Sequence, residues 1–233
     1  MAVKKVSRKK LLKEPDEFIS TTARVIQFFK TYQRRIFWSV IIVLGVAAAG
    51  AAGYTYLRWQ EEKALTIQNQ ALQIYQEAYR ASLESPKKEK KEDYKRALDK
   101  FREALSVYRW GQAAQVSELY IGHCHFALQE YDQAQAAYTR CLEGPFRAMA
   151  LNGMGYIFEA KGDHKLALEN FQKDATDSRG NPFQLESMLA VARCYEAMNQ
   201  KPKALEVYQK ALAQSPQSTM SEFIRWKVSE LKG

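Results

Sequence analysis

The sequence is poor in the residues from which catalytic and metal centres are built. It has three histidines and three cysteines among 233 residues, and so few histidines disfavour a catalytic base. His123 and His125 point to different faces of a helix, so they cannot share one metal ion. No C-x-x-C pair, glycine-rich phosphate loop or nucleophile elbow is present. We therefore expect no enzymatic activity, no cofactor, no metal and no small-molecule substrate.

Glycine and proline are also sparse after residue 57, which leaves few signals for turns between strands. No run there alternates apolar and polar residues as a half-buried strand does. Apolar residues instead recur at helical spacing nearly to the C-terminus. The sequence therefore predicts an all-α fold.

One apolar run is long enough to cross a membrane. Residues 36–57 form 22 consecutive positions without a charged side chain, and a helix of that length reaches about 33 Å, against about 30 Å for a hydrocarbon core. We predict a single transmembrane helix, although the small residues at 47–52 also fit the alternative of a cleaved signal peptide. Gly45, Ala49 and Gly53 share one face of this helix and predict a packing site for a second transmembrane helix.

Positive charge is concentrated before the apolar run. Residues 1–35 carry ten basic and three acidic side chains, so +7 of the chain's net charge of +9 lies there. Basic flanks stay in the cytoplasm, which predicts a cytoplasmic N-terminus and an exported domain. Apolar periodicity in the same segment predicts an amphipathic helix on membrane lipids or, alternatively, a helix that docks a partner. Acidic residues interrupt the lysines of the run 85–92, so we expect no nucleic-acid partner.

The exported part contains a repeat. Ala134, Ala167 and Ala204 are separated by 33 and 37 residues, and each is followed four positions later by Tyr or Phe. Gly155 on a preceding helix and a turn at 161–163 complete the most regular copy. A large apolar residue, glycine and an aromatic on one helix, then alanine and an aromatic on the next, are typical of the tetratricopeptide repeat (TPR) of about 34 residues. We predict a solenoid of TPR hairpins closed by a capping helix.

The predicted organisation has five parts. They are a basic cytoplasmic amphipathic segment at 1–35, a transmembrane helix at 36–57, a degenerate first hairpin at 58–112, three TPR repeats at 113–217, and a capping helix at 218–233. Cysteines in the repeats stand where small buried residues are usual, so we interpret them as packing residues. In an exported domain, an oxidised pair is the alternative.

Stacked hairpins leave a concave side lined by the first helix of each hairpin. The repeat spacing predicts a protein-binding groove there, formed by Leu119, His123, Phe126, Asn152, Tyr156, Glu159, Leu189, Arg193 and Glu196. This mixture suits an extended peptide or another protein, whereas the alternative is that several of these residues pack between repeats. The lysine and asparagine set of a TPR carboxylate clamp is missing, which disfavours recognition of an acidic C-terminal tail.

Several of these features together resemble the YfgM-like family of ancillary subunits of the bacterial SecYEG translocon. They are a stub with Phe28 and Phe29, one apolar span with the aromatic exit at 53–59, the TPR hairpins, and the terminal spacing SExxxxKxxxL from Ser221 to Leu231. The stub is more basic and the hairpins fit the repeat consensus more clearly than in that family.

The resemblance implies a single-pass protein of the bacterial inner membrane with a periplasmic TPR domain. Its partners would be translocon subunits, exported polypeptides or periplasmic chaperones, and its function would be to assist protein export and chaperone handover. The alternatives are a TPR scaffold for another cell-envelope complex, in division, secretion or respiratory assembly, and an accessory factor in cofactor maturation.

Overall fold

The computed structural model describes residues 17–84, 90–176 and 183–233, and this part of the chain is helical without any strand. The predicted all-α class is therefore confirmed. The helices are α1 (Glu17–Glu84), α2 (Lys91–Val107), α3 (Gly111–Ala127), α4 (Tyr131–Thr139), α5 (Arg147–Ala160), α6 (His164–Ala175), α7 (Gln184–Ala197), α8 (Lys201–Gln214) and α9 (Ser221–Lys232). The start of the basic segment and most of the predicted loop at 85–92 lie outside the described residues.

The chain divides into two compact units, Met1–Arg58 and Trp59–Gly233. Within the first unit, α1 contains both the end of the basic segment and the predicted span. No proline lies between residues 16 and 85, so the backbone hydrogen-bond ladder of α1 has no obligatory break. Among the described residues, α1 is the one helix long and apolar enough to cross a membrane. Its side chains at 37–57 are exposed, unlike those of a core helix in a soluble protein.

The second unit is a stack of helical hairpins. Residues 59–84 of α1 pack on α2, and the pairs α3/α4, α5/α6 and α7/α8 follow in chain order. Each second helix also contacts the first helix of the next hairpin, as α6 contacts α7. The helix α9 packs on α8 through Ile224, Val228 and Leu231.

An aromatic side chain on every second helix fills the centre of its hairpin. Phe101, Tyr138, Phe171 and Tyr208 are at most 1% exposed. Small residues on the neighbouring helices make the space for them: a Cβ atom on Gly155 would lie 2.5 Å from Cε1 of Phe171. This is the small-against-large contact that the repeat pattern predicts.

The three regular hairpins turn in the same way. Gln129, Gly162 and Asn199 occupy equivalent positions and all have a left-handed backbone, with φ of 64°, 78° and 57°. In each turn, the next N–H donates to the carbonyl five residues back, as Asp163 N does to Phe158 O at 2.9 Å. This is the Schellman motif that ends a helix, and it satisfies carbonyls that would otherwise have no partner.

We expect the protein to be more stable with glycine than with alanine at the turn position 162. Gly162→Ala places a Cβ in the left-handed region and lowers the free energy of unfolding by about 1 kcal/mol. Urea titration of the full-length chain in detergent, followed by circular dichroism, measures the change. Gly162→Asn is the control, and its loss is smaller because asparagine tolerates this conformation. A Gly162→Ala chain as stable as the unsubstituted one would contradict the assignment.

Candidate protein-binding face

The first helices of successive hairpins form one continuous surface. Their side chains bond from one hairpin to the next, beginning with Gln68 Nε2 of α1, which donates to Ser117 Oγ of α3 at 3.0 Å. Asn152 of α5 similarly reaches Ser187 of α7. We call the surface formed by residues 59–84 of α1 and by α3, α5 and α7 the first-helix face.

The nine predicted groove residues fall into three registers, because offsets of 33 and 37 residues separate equivalent positions. The first register is Leu119, Asn152 and Leu189; the second is His123, Tyr156 and Arg193; the third is Phe126, Glu159 and Glu196. All nine lie on α3, α5 or α7.

The first register points into the stack. Leu119 and Leu189 are 2% and 4% exposed and belong to the apolar core. Asn152 is half-buried and donates from Nδ2 to Asp174 Oδ2 at 3.2 Å. Ser187 Oγ also donates to that carboxylate, whose residue is fully buried. The pair of leucines therefore packs between repeats, and Asn152 belongs to a buried polar network.

His123, in the second register, lies among aromatic rings. Its ring centroid is 5.4 Å from that of Tyr120 and 6.2 Å from that of Tyr75. His123 Nδ1 is hydrogen-bonded to the Tyr138 hydroxyl at 2.7 Å. Burial lowers the pKa of His123 from 6.5 to about 4, so the imidazole is neutral at pH 7.

Arg193 connects the second and third registers of neighbouring hairpins. Its Nε and Nη2 atoms donate to the two carboxylate oxygens of Glu159 at 3.2 and 3.0 Å. Its guanidinium carbon lies 5.8 Å from the centre of the Tyr156 ring. Burial opposes the charge, but the bond to Glu159 outweighs it and raises the pKa of Arg193.

Glu196 makes the same kind of connection one hairpin later. It accepts hydrogen bonds from Lys227 Nζ of α9 at 2.8 Å and from the Tyr208 hydroxyl at 2.6 Å. The bond to Glu196 raises the pKa of Lys227. Phe126, the remaining member of the third register, packs beside Tyr131 with ring centroids 5.9 Å apart.

Three charged residues of the predicted groove are therefore paired across hairpins, Glu159 with Arg193 and Glu196 with Lys227 of α9. What stays available to a partner is the half-buried surface of His123, Phe126, Tyr156, Arg193 and Glu196. Such a surface offers aromatic rings and carboxylate or guanidinium edges, which suits a protein segment. The protein-binding role of the nine residues stays a prediction.

The three cysteines behave as packing residues. Cys124, Cys141 and Cys194 are free thiols and 0% exposed. Burial raises the pKa of Cys124 to about 12 and that of the other two to about 11, so these thiols are unreactive at neutral pH. Within the described ranges, no group of three histidine, cysteine or acidic residues is arranged to hold a metal ion.

The predicted packing site on the span lies in the first unit. Gly45, Ala49 and Gly53 are exposed on α1. A Cβ atom on either glycine would have no neighbour within 4 Å. The glycines therefore leave room for close approach of another helix, and the packing role stays a prediction.

Sequence reasoning missed three residues that organise the first-helix face. Asp174 takes the position that Cys141 and Ala211 fill in other hairpins, so its polarity is the signal that could have revealed the buried network. Its partner Ser187 gave no such signal. Lys227 lies 34 residues after Arg193, one repeat length, and this spacing could have predicted that it pairs with Glu196.

Known family models and solved structures match the helical hairpins of this chain. Two family models described as tetratricopeptide repeat match residues 146–217 and 121–143. The chain therefore contains TPR repeats, as the spacing predicts. No curated protein matches the sequence.

Three solved structures are similar. TPR-like repeats of a protein named as a kinesin light chain from Podosopora anserina are 14% identical, with a TM-score of 0.50 over 75% of this chain and 84% of that one. A single-residue variant of the same repeats gives a TM-score of 0.51 over the same shares and identity. MamA is 16% identical, with a TM-score of 0.46 over 60% of this chain and 85% of that one. The first two show a shared fold.

We expect His123 to make stability depend on pH. The unfolded chain binds a proton near pH 6.5 and the folded chain only near pH 4, so acidification through this window favours unfolding. The loss at pH 4 is on the order of 3 kcal/mol.

Urea titrations of the full-length chain between pH 7 and pH 4 measure this loss. His123→Gln is the control, since it cannot take up the proton and should flatten the dependence. Equal pH profiles for the two chains would show that His123 does not titrate as described.

Proposed function

We propose that this chain is a membrane-anchored TPR scaffold that binds proteins through the first-helix face. The observation that carries the proposal is the series of contacts from α3 to α5 and from α5 to α7, which offers an extended surface rather than an enclosed catalytic cleft. TPR repeats indicate a protein-binding scaffold. The long apolar stretch of α1 supports the anchor.

The proposed location is the bacterial inner membrane, with the N-terminus in the cytoplasm and the TPR domain in the periplasm. The charge of +7 before the span supports this orientation. The resemblance to the YfgM-like family supports a place beside the Sec translocon, with membrane lipids around the span. Tethering there raises the local concentration of a client to about the millimolar range, so weak contacts are enough for handover.

Photocrosslinking in intact cells tests both the face and its location. A benzophenone side chain in place of Tyr156 keeps the aromatic ring and should form adducts with translocon subunits, exported polypeptides or periplasmic chaperones. The same group at the exposed Lys165 on α6 is the matched control and should give few adducts.

The pattern of adducts decides the outcome. Partners from another envelope complex at Tyr156 would favour the alternative scaffold. Adducts with cytoplasmic proteins alone would reverse the orientation. The same adducts from Tyr156 and Lys165 would remove the first-helix face as the binding site.

We further propose that Gly45, Ala49 and Gly53 contact a transmembrane helix of the translocon. Replacing both glycines with isoleucine blocks close approach and should reduce copurification of SecYEG from gently solubilised membranes by about fivefold. Gly50→Ile is the control, because Gly50 is equally open but lies off this face. Equal recovery with all variants would refute the contact.

A further inference from the structure

A second site lies at the junction of α2, α3 and α4, and it shares no residue with the nine predicted groove residues, although part of its lining belongs to α3. A cavity of about 660 Å³ opens between the end of α2 and the start of α3. This volume falls in the range of ligand-binding clefts. The side chains that give it chemical character are Arg102, Arg109, Trp110, Gln115, Glu118 and Arg140.

The cavity is positively charged. Its lining contains one carboxylate, that of Glu118, and three arginines, Arg102, Arg109 and Arg140. The lining therefore carries a net charge of +2, which equals the net charge of residues 58–233 as a whole. Arg102 and Arg109 are exposed, and a guanidinium binds a carboxylate through two parallel hydrogen bonds. The cavity is therefore suited to an anionic ligand.

Trp110 adds a large apolar surface to the same site. Its side chain is 67% exposed, immediately before the first residue of α3. Exposure of one aromatic residue is ordinary, but tryptophan and arginine together are the residues that dominate the energy of protein interfaces. An apolar or aromatic side chain of a ligand can pack on this ring beside the arginines.

Two oxygen atoms in the cavity wall decide between kinds of anion. Gln115 Oε1 is buried and has no hydrogen-bond partner among the described residues. Glu118 Oε2 lies 2.9 Å from Arg140 Nη2, but this ionic contact is not aligned as a hydrogen bond. Acceptor oxygens in the wall disfavour a ligand that offers only acceptors, such as the phosphate of a lipid headgroup, and favour a peptide, which carries N–H groups beside its carboxylates.

We propose that this cavity binds an acidic segment of a partner protein, with carboxylates on Arg102 and Arg109 and an apolar side chain on Trp110. The site differs from a TPR carboxylate clamp, which uses lysine and asparagine in the concave groove. This inference depends on the proposed scaffold function in one respect, namely that the ligand is a protein.

Fluorescence polarisation with the full-length chain in detergent tests the proposal. The probe is a short fluorescein-labelled peptide of alternating glutamate and phenylalanine, and a peptide with lysine in place of glutamate is its counterpart. Trp110→Ala and Arg109→Glu should each weaken binding of the acidic probe by about tenfold. Trp226→Ala and Arg225→Glu on α9 are matched controls, since both residues are exposed, and they should leave binding unchanged.

Each of the following results would overturn the proposed site. Equal affinity for the two peptides, or equal effects of the α2–α3 and α9 variants, would overturn the site. Preference for phosphatidylglycerol vesicles over the acidic probe would identify a lipid surface and also overturn it. Loss of binding in Arg193→Ala rather than Trp110→Ala would place the peptide on the first-helix face, refuting this site while leaving the proposed scaffold function intact.

Discussion

The burial of one aromatic ring per hairpin is the constraint on which the rest of the repeat domain depends. Tyr138 on α4 is 1% exposed and is flanked by Gly122 on α3 and Gly153 on α5. A Cβ atom on either glycine would lie 2.5 Å from the ring. The ring is thus enclosed by its own hairpin and by the next one, so a hairpin removed from the stack would expose its largest core residue. Stability therefore arises from neighbouring hairpins together.

This stacking distance also sets the chemistry of the first-helix face. Each hairpin lies at a similar distance from the next. A third-register side chain can therefore reach a charged residue about one repeat later: Glu159 pairs with Arg193, and Glu196 pairs with Lys227. Half-exposed ion pairs contribute little to the free energy of folding. Their larger effect is to neutralise the charged positions of the predicted groove, since Glu159 and Glu196 each meet one cation.

Periodic features of the fold could be predicted from the sequence, and pairwise ones could not. Spacing alone predicts the alanines, the buried rings and the turn at Gly162, because every hairpin packs small residues against one aromatic ring at equivalent positions. Asn152 illustrates the limit: its offset matches that of Leu119, but its partner Asp174 lies on another helix and turns the position into a polar network. Gln129 likewise carries no local sign of its left-handed backbone, which the equivalent turns reveal.

The cavity beside Trp110 could not be predicted from the sequence for a related reason. Its arginines lie on α2, in the connection between α2 and α3, and just after α4. They are 38 residues apart at the extremes, outside the repeat offsets of 33 and 37, so no periodic pattern brings them together. They also outnumber the one carboxylate beside them, whereas Glu159 and Glu196 each have a cation as partner. A local excess of guanidinium groups attracts anions from beyond contact distance, whereas paired charges and aromatic rings act only at contact.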